Sequence, residues 1–442
     1  MRHRTTARIS LTELFCPFPF RARKDRVGCP TLPVVTDVRD RELPRFSLDD
    51  AALLRDPYPV YRRLREAGPL CRGGPAQWVV TRYDEVSRLL KDRRLGRAFP
   101  VEFQEMSVGA GPAVDFLRGI VIDRDPPDHT RLRRLLTKAL PPTTVRTLSG
   151  LIGDLVDGLL TAAEERGSFD AVTDLAQPLP VLVMSTLLGI PHADRAEVMR
   201  RSLDVAKAFA VFIPEEERAA AHDGVLWLRA YLRGLLRRRL ADPGDDLLSA
   251  IALARDDEHR PLTEEEAVDN ALFLYYAGFE TTTNLIATGC HALIHHPDEQ
   301  RRLRADRALM PTALEEFLRW DAPIHTTTRL TLEPVEVGGR TIRANRVVVL
   351  LLASANFDER QFADPERLDL ARRPNAHLSF GGGAHHCLGA MLARVEGSAV
   401  FDRLLDRPGH LEPAGEADWQ PSAAGFRFPF CAYRSIPVAR TT

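Results

Sequence analysis

The sequence of 442 residues lacks several features that would assign it to a specialised class of protein. Its six cysteines are scattered and include no C-x-x-C pair, which indicates neither a disulfide framework nor a zinc knuckle. Lysine is rare, with four residues, and most of the positive charge comes from arginine. The formal net charge is −1, so the composition gives no reason to expect nucleic acid as a partner. No apolar run approaches the length of a membrane span. We therefore expect a cytoplasmic globular protein that binds neither membrane nor nucleic acid.

The first 42 residues differ from the rest of the chain. Basic residues outnumber acidic residues there, and the apolar residues show no sustained periodicity. We predict that residues 1–42 form a disordered basic extension, with an over-long assigned start or a targeting arm as the alternatives. Length alone would allow two or three domains in the whole chain.

Most of the sequence after this extension has helical periodicity. The longest helix is predicted from Leu262 to about His296, and LTEE supplies a capping box at its start. The segment VEVGGRTIRANRVVVLLLASAN alternates, is rich in β-branched residues and contains turn signals, which predicts a small sheet. QWVVTRY is a further strand candidate. These patterns predict a mainly α protein with a small β part.

The stretch FGGGAHHCLG, residues 380–389, requires a chemical explanation. Its glycine spacing does not match a phosphate-binding loop. His385, His386 and Cys387 are adjacent, so their side chains diverge, and no second ligand cluster could complete a zinc site. A plain glycine-rich turn would not explain a cysteine just before the predicted helix LGAMLARVEGSAVFDRLL. A helix N-terminus stabilises a thiolate, glycines let the backbone lie close under a flat ligand, and cysteine-ligated haem iron uses both features.

The stretch resembles the cytochrome P450 signature F-G-x-G-x-H/R-x-C-x-G. The matching positions are Phe380, Gly381, Gly383, His385, Cys387 and Gly389. The resemblance implies one P450 domain over residues 43–442, with haem between the long central helix and the helix that follows the cysteine loop. It also implies non-covalent haem b with Cys387 as the iron ligand, since the chain has no C-x-x-C-H motif.

The long predicted helix carries LFLYYAGFETTTNL. A glycine inside a helix costs about 1 kcal/mol relative to alanine, so Gly278 needs a reason. The hydroxyl of Thr281 can bond back to the carbonyl of Ala277 and bend the helix. We therefore expect Gly278 and Thr281 to open a notch in the helix. The stretch resembles the family's oxygen-activation motif, which implies that Ala277 and Gly278 lie against haem and that Glu280 and Thr281 relay protons. Phe279 departs from close bacterial relatives, which often have histidine there.

Four cations resemble the family's ligands for the haem propionates. His129 and Arg133 lie four residues apart in DPPDHTRLRRLLTKAL, and alone they would be ordinary surface cations. Arg329 in TTTRLTL and His385 in the cysteine loop complete the set that the resemblance implies.

A further resemblance concerns an ion cluster. Glu316 and Arg319 in ALEEFLRW match the family's E-x-x-R, and Arg367 in FADPERLDL is expected to be the third member. We assign this cluster to structure rather than to chemistry, because a buried charge that loses its partner destabilises a fold by roughly 3–5 kcal/mol.

The resemblance implies an apolar substrate pocket. The residues expected to line it are Phe99, Phe103, Phe209, Phe212, Phe273, Ile324 and Phe428. The substrate is expected to be a small molecule, either free or tethered to a carrier protein.

The activity implied is that of a haem-thiolate monooxygenase that hydroxylates or epoxidises an apolar molecule in bacterial secondary metabolism. The alternatives within the family are an enzyme that couples phenols or closes rings without inserting oxygen, and a peroxygenase, which does not need the relay. The alternative from another class is a haem-binding sensor, which would keep Cys387 but has no need of Glu280 and Thr281.

The expected partners follow from the extent of the resemblance. It leaves no room within residues 43–442 for a flavin or nicotinamide domain, so a ferredoxin and a ferredoxin reductase are expected to supply electrons. We expect the protein to be a monomer.

Overall fold

The structure is a computed structural model, which describes residues 7–9, 32–34, 43–47, 50–74, 77–209, 213–420 and 432–441. Within the N-terminal extension, strands β1 (Ala7–Ile9) and β2 (Leu32–Val34) pair antiparallel. The rest of residues 1–42 lies outside the described residues, so the disordered extension stays a prediction.

Helices dominate the described part of the chain, as the sequence predicts. The helices of its first half are α1 (Ala51–Arg55), α2 (Pro57–Ala67), α3 (Tyr83–Leu89), α4 (Val101–Val108), α5 (Pro112–Gly119), α6 (Asp128–Ala139), α7 (Pro142–Thr147), α8 (Ser149–Glu165), α9 (Pro178–Leu187) and α10 (Arg195–Ala206). The helices of its second half are α11 (Glu215–Ala241), α12 (Leu247–Leu253), α13 (Glu264–His295), α14 (Pro297–Ala305), α15 (Met310–Trp320), α16 (Leu352–Ala355) and α17 (Ala390–Asp406).

The remaining strands are short. They are β3 (Leu70–Arg72), β4 (Gln77–Val80), β5 (Leu95–Gly96), β6 (Phe169–Asp170), β7 (Thr326–Thr331), β8 (Val335–Val337), β9 (Arg340–Ile342), β10 (Val347–Leu351), β11 (His410–Pro413), β12 (Asp418–Gln420), β13 (Ala432–Ser435) and β14 (Pro437–Thr441). The largest sheet has the order β3-β4-β10-β7-β5, and only its β4–β10 pair is parallel. The predicted strand QWVVTRY and the predicted β-rich segment therefore meet in one sheet, and the expected fold class is confirmed.

The long helix α13 is the centre of the molecule. Its N-cap is Thr263, and the predicted capping box is present, with Thr263 and Glu266 bonding each other's backbone. Helices α9, α11, α15 and α17 pack around it. Because α17 follows the cysteine loop directly and contacts α13, the fold brings the two predicted chemical segments into one core.

Candidate functional site

The loop before α17 is closed by its own backbone. The amide of Cys387 donates to the carbonyl oxygen of Phe380 at 2.9 Å, so the chain between them folds back on itself. Gly381 and Gly383 have φ angles of 68° and 65°, in the left-handed region that favours glycine. A Cβ at Gly383 would lie 2.5 Å from the carbonyl oxygen of Leu90. The glycines are therefore required by this tight loop, which places Cys387 at the start of α17.

The surroundings of Cys387 act on its thiol in two directions. Cys387 is exposed at the protein surface of the loop, yet the protein atoms around it raise its pKa by desolvation. The backbone amides of Gly389 and Ala390 and the guanidinium groups of Arg133 and Arg394 lower that pKa. Amides at a helix N-terminus and nearby arginines are the groups that stabilise a thiolate. The donor set around this cysteine thus fits a metal-bound thiolate.

Two other cysteines have different surroundings. Cys71 and Cys290 are both buried, and burial raises the pKa of each thiol to about 12. Neither can act as a thiolate near neutral pH. Among the cysteines in the described ranges, Cys387 is therefore the suitable ligand for a soft metal site.

Two predicted propionate ligands lie side by side. The ring centroids of His129 and His385 are 4.2 Å apart. Burial lowers the pKa of His129, and it lowers the pKa of His385 to about 2. Both rings are thus neutral at neutral pH, and each has one N–H to donate. The buried Nε2 of His129 has no hydrogen-bond partner within the described chain, so this nitrogen is free to bind a further group.

Three arginines surround this histidine pair, and the sequence analysis missed one of them. The positive charges of Arg97, Arg329 and Arg133 all act on His385. Arg329 is 4% exposed, and burial is the main reason that its pKa falls to about 9. Across the described residues, no carboxylate lies within ion-pairing distance of Arg329. Haem has two carboxylates, and this buried cluster fits them.

Arg97 is held between several neighbours. Its Nη2 pairs with Asp123 at 2.8 Å, and its Nη1 donates to the carbonyl of Thr328 at 3.1 Å. Arg133 instead donates through Nη2 to the carbonyl of His386 at 2.5 Å, which ties α6 to the cysteine loop. The sequence around Arg97, LGRAF, matches no motif, so its role was visible only from the contacts.

One face of α13 is partly exposed in the middle of the molecule. Its residues recur at helical spacing and are Phe273, Leu274, Ala277, Gly278 and Thr281. Residues 267–272 before them and 284–290 after them are buried. This face therefore keeps accessible surface between two buried stretches of the helix, and it contains most of the predicted oxygen-activation motif.

The predicted bend of this helix has its expected hydrogen bond. Thr281 donates through Oγ1 to the carbonyl oxygen of Ala277 at 2.8 Å. The glycine has an additional reason, because a Cβ at Gly278 would lie 2.5 Å from Sδ of Met184 on α9. A larger residue at position 278 would therefore force the side chain of Met184 to move.

The acidic member of the motif is enclosed by protein. Glu280 is 8% exposed. Its neighbour Phe279 packs edge-on against Tyr275 and Tyr276, with ring centroids 5.7 Å and 5.8 Å apart. Phe279 is therefore a packing residue, and it supplies no hydrogen bond to the motif.

The buried ion cluster is present, but one predicted member is wrong. Glu316 and Arg319 are 0% exposed and form two hydrogen bonds of 2.8 Å. The third member is Arg372, whose Nε donates to both carboxylate oxygens of Glu316 at 3.1 Å. Arg367 has an exposed side chain, and its carbonyl oxygen accepts from Arg372 at 2.8 Å. A turn closed by the amide of Arg367 and the carbonyl of Asp364 accompanies this outward side chain.

The predicted pocket residues form two aromatic groups. Phe99 stacks on Phe103 at 5.1 Å. Phe209 lies 6.2 Å from Phe273 and stacks at 4.6 Å on Tyr276, which the sequence analysis did not assign to the pocket. The remaining assignments fall elsewhere: Ile324 packs against the core beside the largest sheet, and Phe212 and Phe428 lie outside the described residues.

Two surface clefts are poor candidates for an apolar substrate. Their volumes are about 480 and 400 Å³, and charged side chains make up most of their lining. The first lies between α5, α11 and the start of α13, and the second lies between α6 and residues 256–260. Neither includes the cysteine loop or the partly exposed face of α13.

A buried carboxyl lies on the helix that follows the cysteine loop. Glu396 of α17 is 0% exposed, and both of its carboxyl oxygens lack a hydrogen-bond partner within the described residues. Burial raises the pKa of Glu396 to about 8. The carboxyl is therefore protonated in the folded protein at neutral pH, whereas it ionises in the unfolded chain above its ordinary pKa.

This difference predicts a pH-dependent stability. Below about pH 4.5 the carboxyl is protonated in both the folded and the unfolded state, so its burial carries no ionisation cost. As the pH rises to about 8, only the unfolded state ionises, and the free energy of unfolding falls. Glu396→Gln, which cannot ionise, should gain melting temperature relative to the wild type by several degrees between about pH 5 and about pH 8. Thermal unfolding of both holoproteins across this range measures the effect. Parallel curves for the two proteins would contradict the prediction.

Comparison with known proteins adds to this geometry. The sequence profile of the family described as Cytochrome P450 matches residues 70–414. The chain is 36% identical to the cytochrome P450 monooxygenase PikC of Streptomyces venezuelae, over 90% of this chain and 94% of that protein. It is 35% identical to the 6-deoxyerythronolide B hydroxylase of Saccharopolyspora erythraea, over 87% of this chain and 95% of that protein.

A solved structure is similar over nearly the same length. It is P450BioI in complex with an acyl carrier protein ligated to hexadec-9Z-enoic acid, with a TM-score of 0.81 and 32% identity over 88% of this chain and all of that one. Within the described residues, no helix of this protein is both long and apolar enough to cross a membrane.

Proposed function

The chain belongs to the cytochrome P450 family and is a monooxygenase, and we propose that it hydroxylates or epoxidises an apolar small molecule in bacterial secondary metabolism. The observation that carries the proposal is the cysteine loop, in which helix amides and arginines act on Cys387, while the guanidinium groups of Arg97, Arg133 and Arg329 act on His385 of the same loop. The relative named for the hydroxylation of 6-deoxyerythronolide B supports the substrate class.

The family implies a haem cofactor, and the residues of this chain fit one. We propose that haem b binds without covalent attachment, with Cys387 as the ligand of its iron. His129, Arg133, Arg329 and His385 would hold its carboxylates, and Arg97 joins them on the evidence of its charge and position. When bound, haem supplies the redox chemistry that activates O₂, and a thiolate ligand favours cleavage of the O–O bond.

The proton relay is proposed for Glu280 and Thr281. Thr281 lies on the partly exposed face of α13, and its hydroxyl already donates to the carbonyl of Ala277. From there it can hold a proton donor in place at the reacting oxygen, while Glu280 exchanges protons behind it. Positioned proton transfer of this kind contributes typically about 10²–10⁴-fold to a rate.

Replacement of Thr281 tests this relay. Thr281→Ala should still bind haem and consume NADPH through a surrogate ferredoxin pair, but reduced oxygen should leave as hydrogen peroxide because no hydroxyl positions the proton. Product formed per NADPH should fall by about tenfold or more. The measurement is peroxide and product per NADPH, with a compound that gives a substrate-type spectral shift.

Thr281→Ser is the matched control for that experiment. It keeps the hydroxyl and removes only a methyl group, so it should restore most of the coupling. Full coupling in Thr281→Ala would mean that the relay runs through another group, such as Thr282 or a hydroxyl of the substrate.

The substrate is proposed to bind along the partly exposed face of α13, against Phe209 and Phe273. Their stacked arrangement with Tyr276 gives this wall an apolar surface. A panel of natural-product scaffolds, tested for substrate-type spectral shifts, would identify the class that binds. Polar or ionic compounds as the best ligands would argue against this pocket.

The electron donors are proposed to be a ferredoxin and a ferredoxin reductase, since members of this family typically take electrons from redox partners.

The substrate has two candidate forms, a free small molecule and one tethered to a carrier protein. The similar P450BioI complex with an acyl carrier protein favours the tethered form. Comparing turnover of one acyl substrate, free and carrier-bound, separates the two candidates.

A further inference from the structure

Helix α11 is fastened at three points to the segment that runs from the end of α4 to the start of α5, residues 106–113. Arg218 donates through Nη2 to the carbonyl of Met106 at 3.4 Å. His222 accepts through Nδ1 from the amide of Ala113 at 3.1 Å. Arg229 donates through Nη1 to the carbonyl of Pro112 at 3.5 Å. Of these three side chains, only His222 accepts a hydrogen bond from the segment.

That acceptor completes the first turn of α5. The first residue of the helix, Pro112, has no amide hydrogen to satisfy. The amides of Val114 and Asp115 donate to the carbonyl of Gly111 at 2.9 Å and 3.2 Å. The amide of Ala113 therefore needs a hydrogen-bond acceptor from a side chain, and Nδ1 of His222 on α11 is that acceptor.

The turn before α5 is shaped to receive this ring. Gly109 and Gly111 have φ angles of 79° and 137°, which side chains rarely adopt. A Cβ at Gly111 would lie 3.1 Å from Cε1 of His222, and one at Gly109 would lie 3.5 Å from its Nε2. The two glycines therefore let the backbone close around the imidazole.

We propose that His222 is a positioning residue that holds residues 109–113 in place while its Nδ1 is unprotonated and releases them when Nδ1 is protonated. A protonated Nδ1 has no lone pair to accept from Ala113. The positive end of the α5 dipole also repels an imidazolium at that place.

The consequence for activity rests on the proposed function. Residues 109–113 directly follow α4, which carries Phe103, a residue proposed to line the substrate pocket, so we expect their release to loosen this wall of the pocket. The charged side chain that the contacts place beside the imidazole is Arg218, four residues earlier on α11, since a Cβ at Gly109 would lie 3.2 Å from its Cδ and 3.5 Å from Nε2 of His222.

Two measurements on the holoprotein test this proposal. The first is hydrogen exchange of the peptide that covers residues 112–119. The second is the rate constant for carbon monoxide binding to the reduced protein after flash photolysis, since carbon monoxide does not ionise. Both are made at about pH 5.5 and at about pH 8.

His222→Asn is the informative variant, because its Oδ1 occupies the position of Nδ1 and cannot be protonated in this range. At about pH 8 the wild type and His222→Asn should be alike. At about pH 5.5 the amides of α5 should exchange about three- to tenfold faster in the wild type, as expected for one lost hydrogen bond, and carbon monoxide should bind faster. His222→Ala should resemble the protonated wild type at both pH values.

His192→Asn is the matched control, since His192 is exposed and remote in sequence, and this variant should keep the wild-type pH response. The proposal is overturned if the wild type shows no pH response, or if His222→Asn shows the same response as the wild type. Loss of the carbon monoxide spectrum of a haem thiolate in the wild type would instead refute the proposed function, so the two failures are distinguishable.

Discussion

Glu316→Ala is expected to yield little soluble haem protein. The substitution leaves Arg319, which is 0% exposed, and Arg372, whose side chain is 9% exposed, without the carboxylate that both contact. Removing one partner from a buried ion cluster costs roughly 3–5 kcal/mol. That is a large part of the stability of a typical domain, about 5–15 kcal/mol. Soluble yield, haem content and melting temperature measure the loss.

Two arginines of the neighbouring segment provide a matched pair for this test. Arg372→Ala should destabilise the protein by about 3 kcal/mol, because it breaks two hydrogen bonds to Glu316 inside the core. Arg367→Ala should change the free energy of unfolding by less than about 0.5 kcal/mol, since its side chain is exposed and only its carbonyl is used. Equal losses in both variants would contradict the assignment of Arg372 to the cluster.

Cys387→Ala is expected to abolish oxidation driven by NADPH. The variant should still fold, because the loop is held by backbone hydrogen bonds such as that between residue 387 and the carbonyl of Phe380. It should lose the thiolate signature of its haem spectrum and bind haem more weakly, since no other soft ligand is available in the loop. Haem content, optical spectra and NADPH-driven product formation check these outcomes.

Cys71→Ala is the control for that experiment. Its thiol is buried and has a pKa of about 12, so it should leave the spectrum and the turnover unchanged. An unchanged haem spectrum in Cys387→Ala, or a lost one in Cys71→Ala, would refute the role assigned to Cys387.

Features governed by local chemistry were predictable from the sequence. The capping box at Thr263 and the hydrogen bond from Thr281 to the carbonyl of Ala277 both depend on residues within one helical turn. The glycines of the cysteine loop likewise have a local cause, since Gly381 and Gly383 need positive φ angles. Short-range rules therefore located the long helix, the loop and the chemical motif.

Contacts made by long side chains across the fold were not predictable in the same way. Arg367 and Arg372 are five residues apart and chemically identical, and the path of the backbone after the turn at Asp364 decides that Arg372 reaches Glu316. Arg97 reaches Asp123 and Thr328 from a stretch without a motif. His222 caps a helix that precedes it by about a hundred residues, and no sequence signal links an acceptor to a distant orphan amide.

The central claim is that Cys387 gives this protein a thiolate-ligated haem. The most direct test is the difference spectrum of the purified, full-length wild type, reduced and then exposed to carbon monoxide. The account predicts the strongly red-shifted Soret band that gives the family its name. A Soret band at the position found in histidine-ligated haem proteins, or a protein that binds no haem, would contradict it.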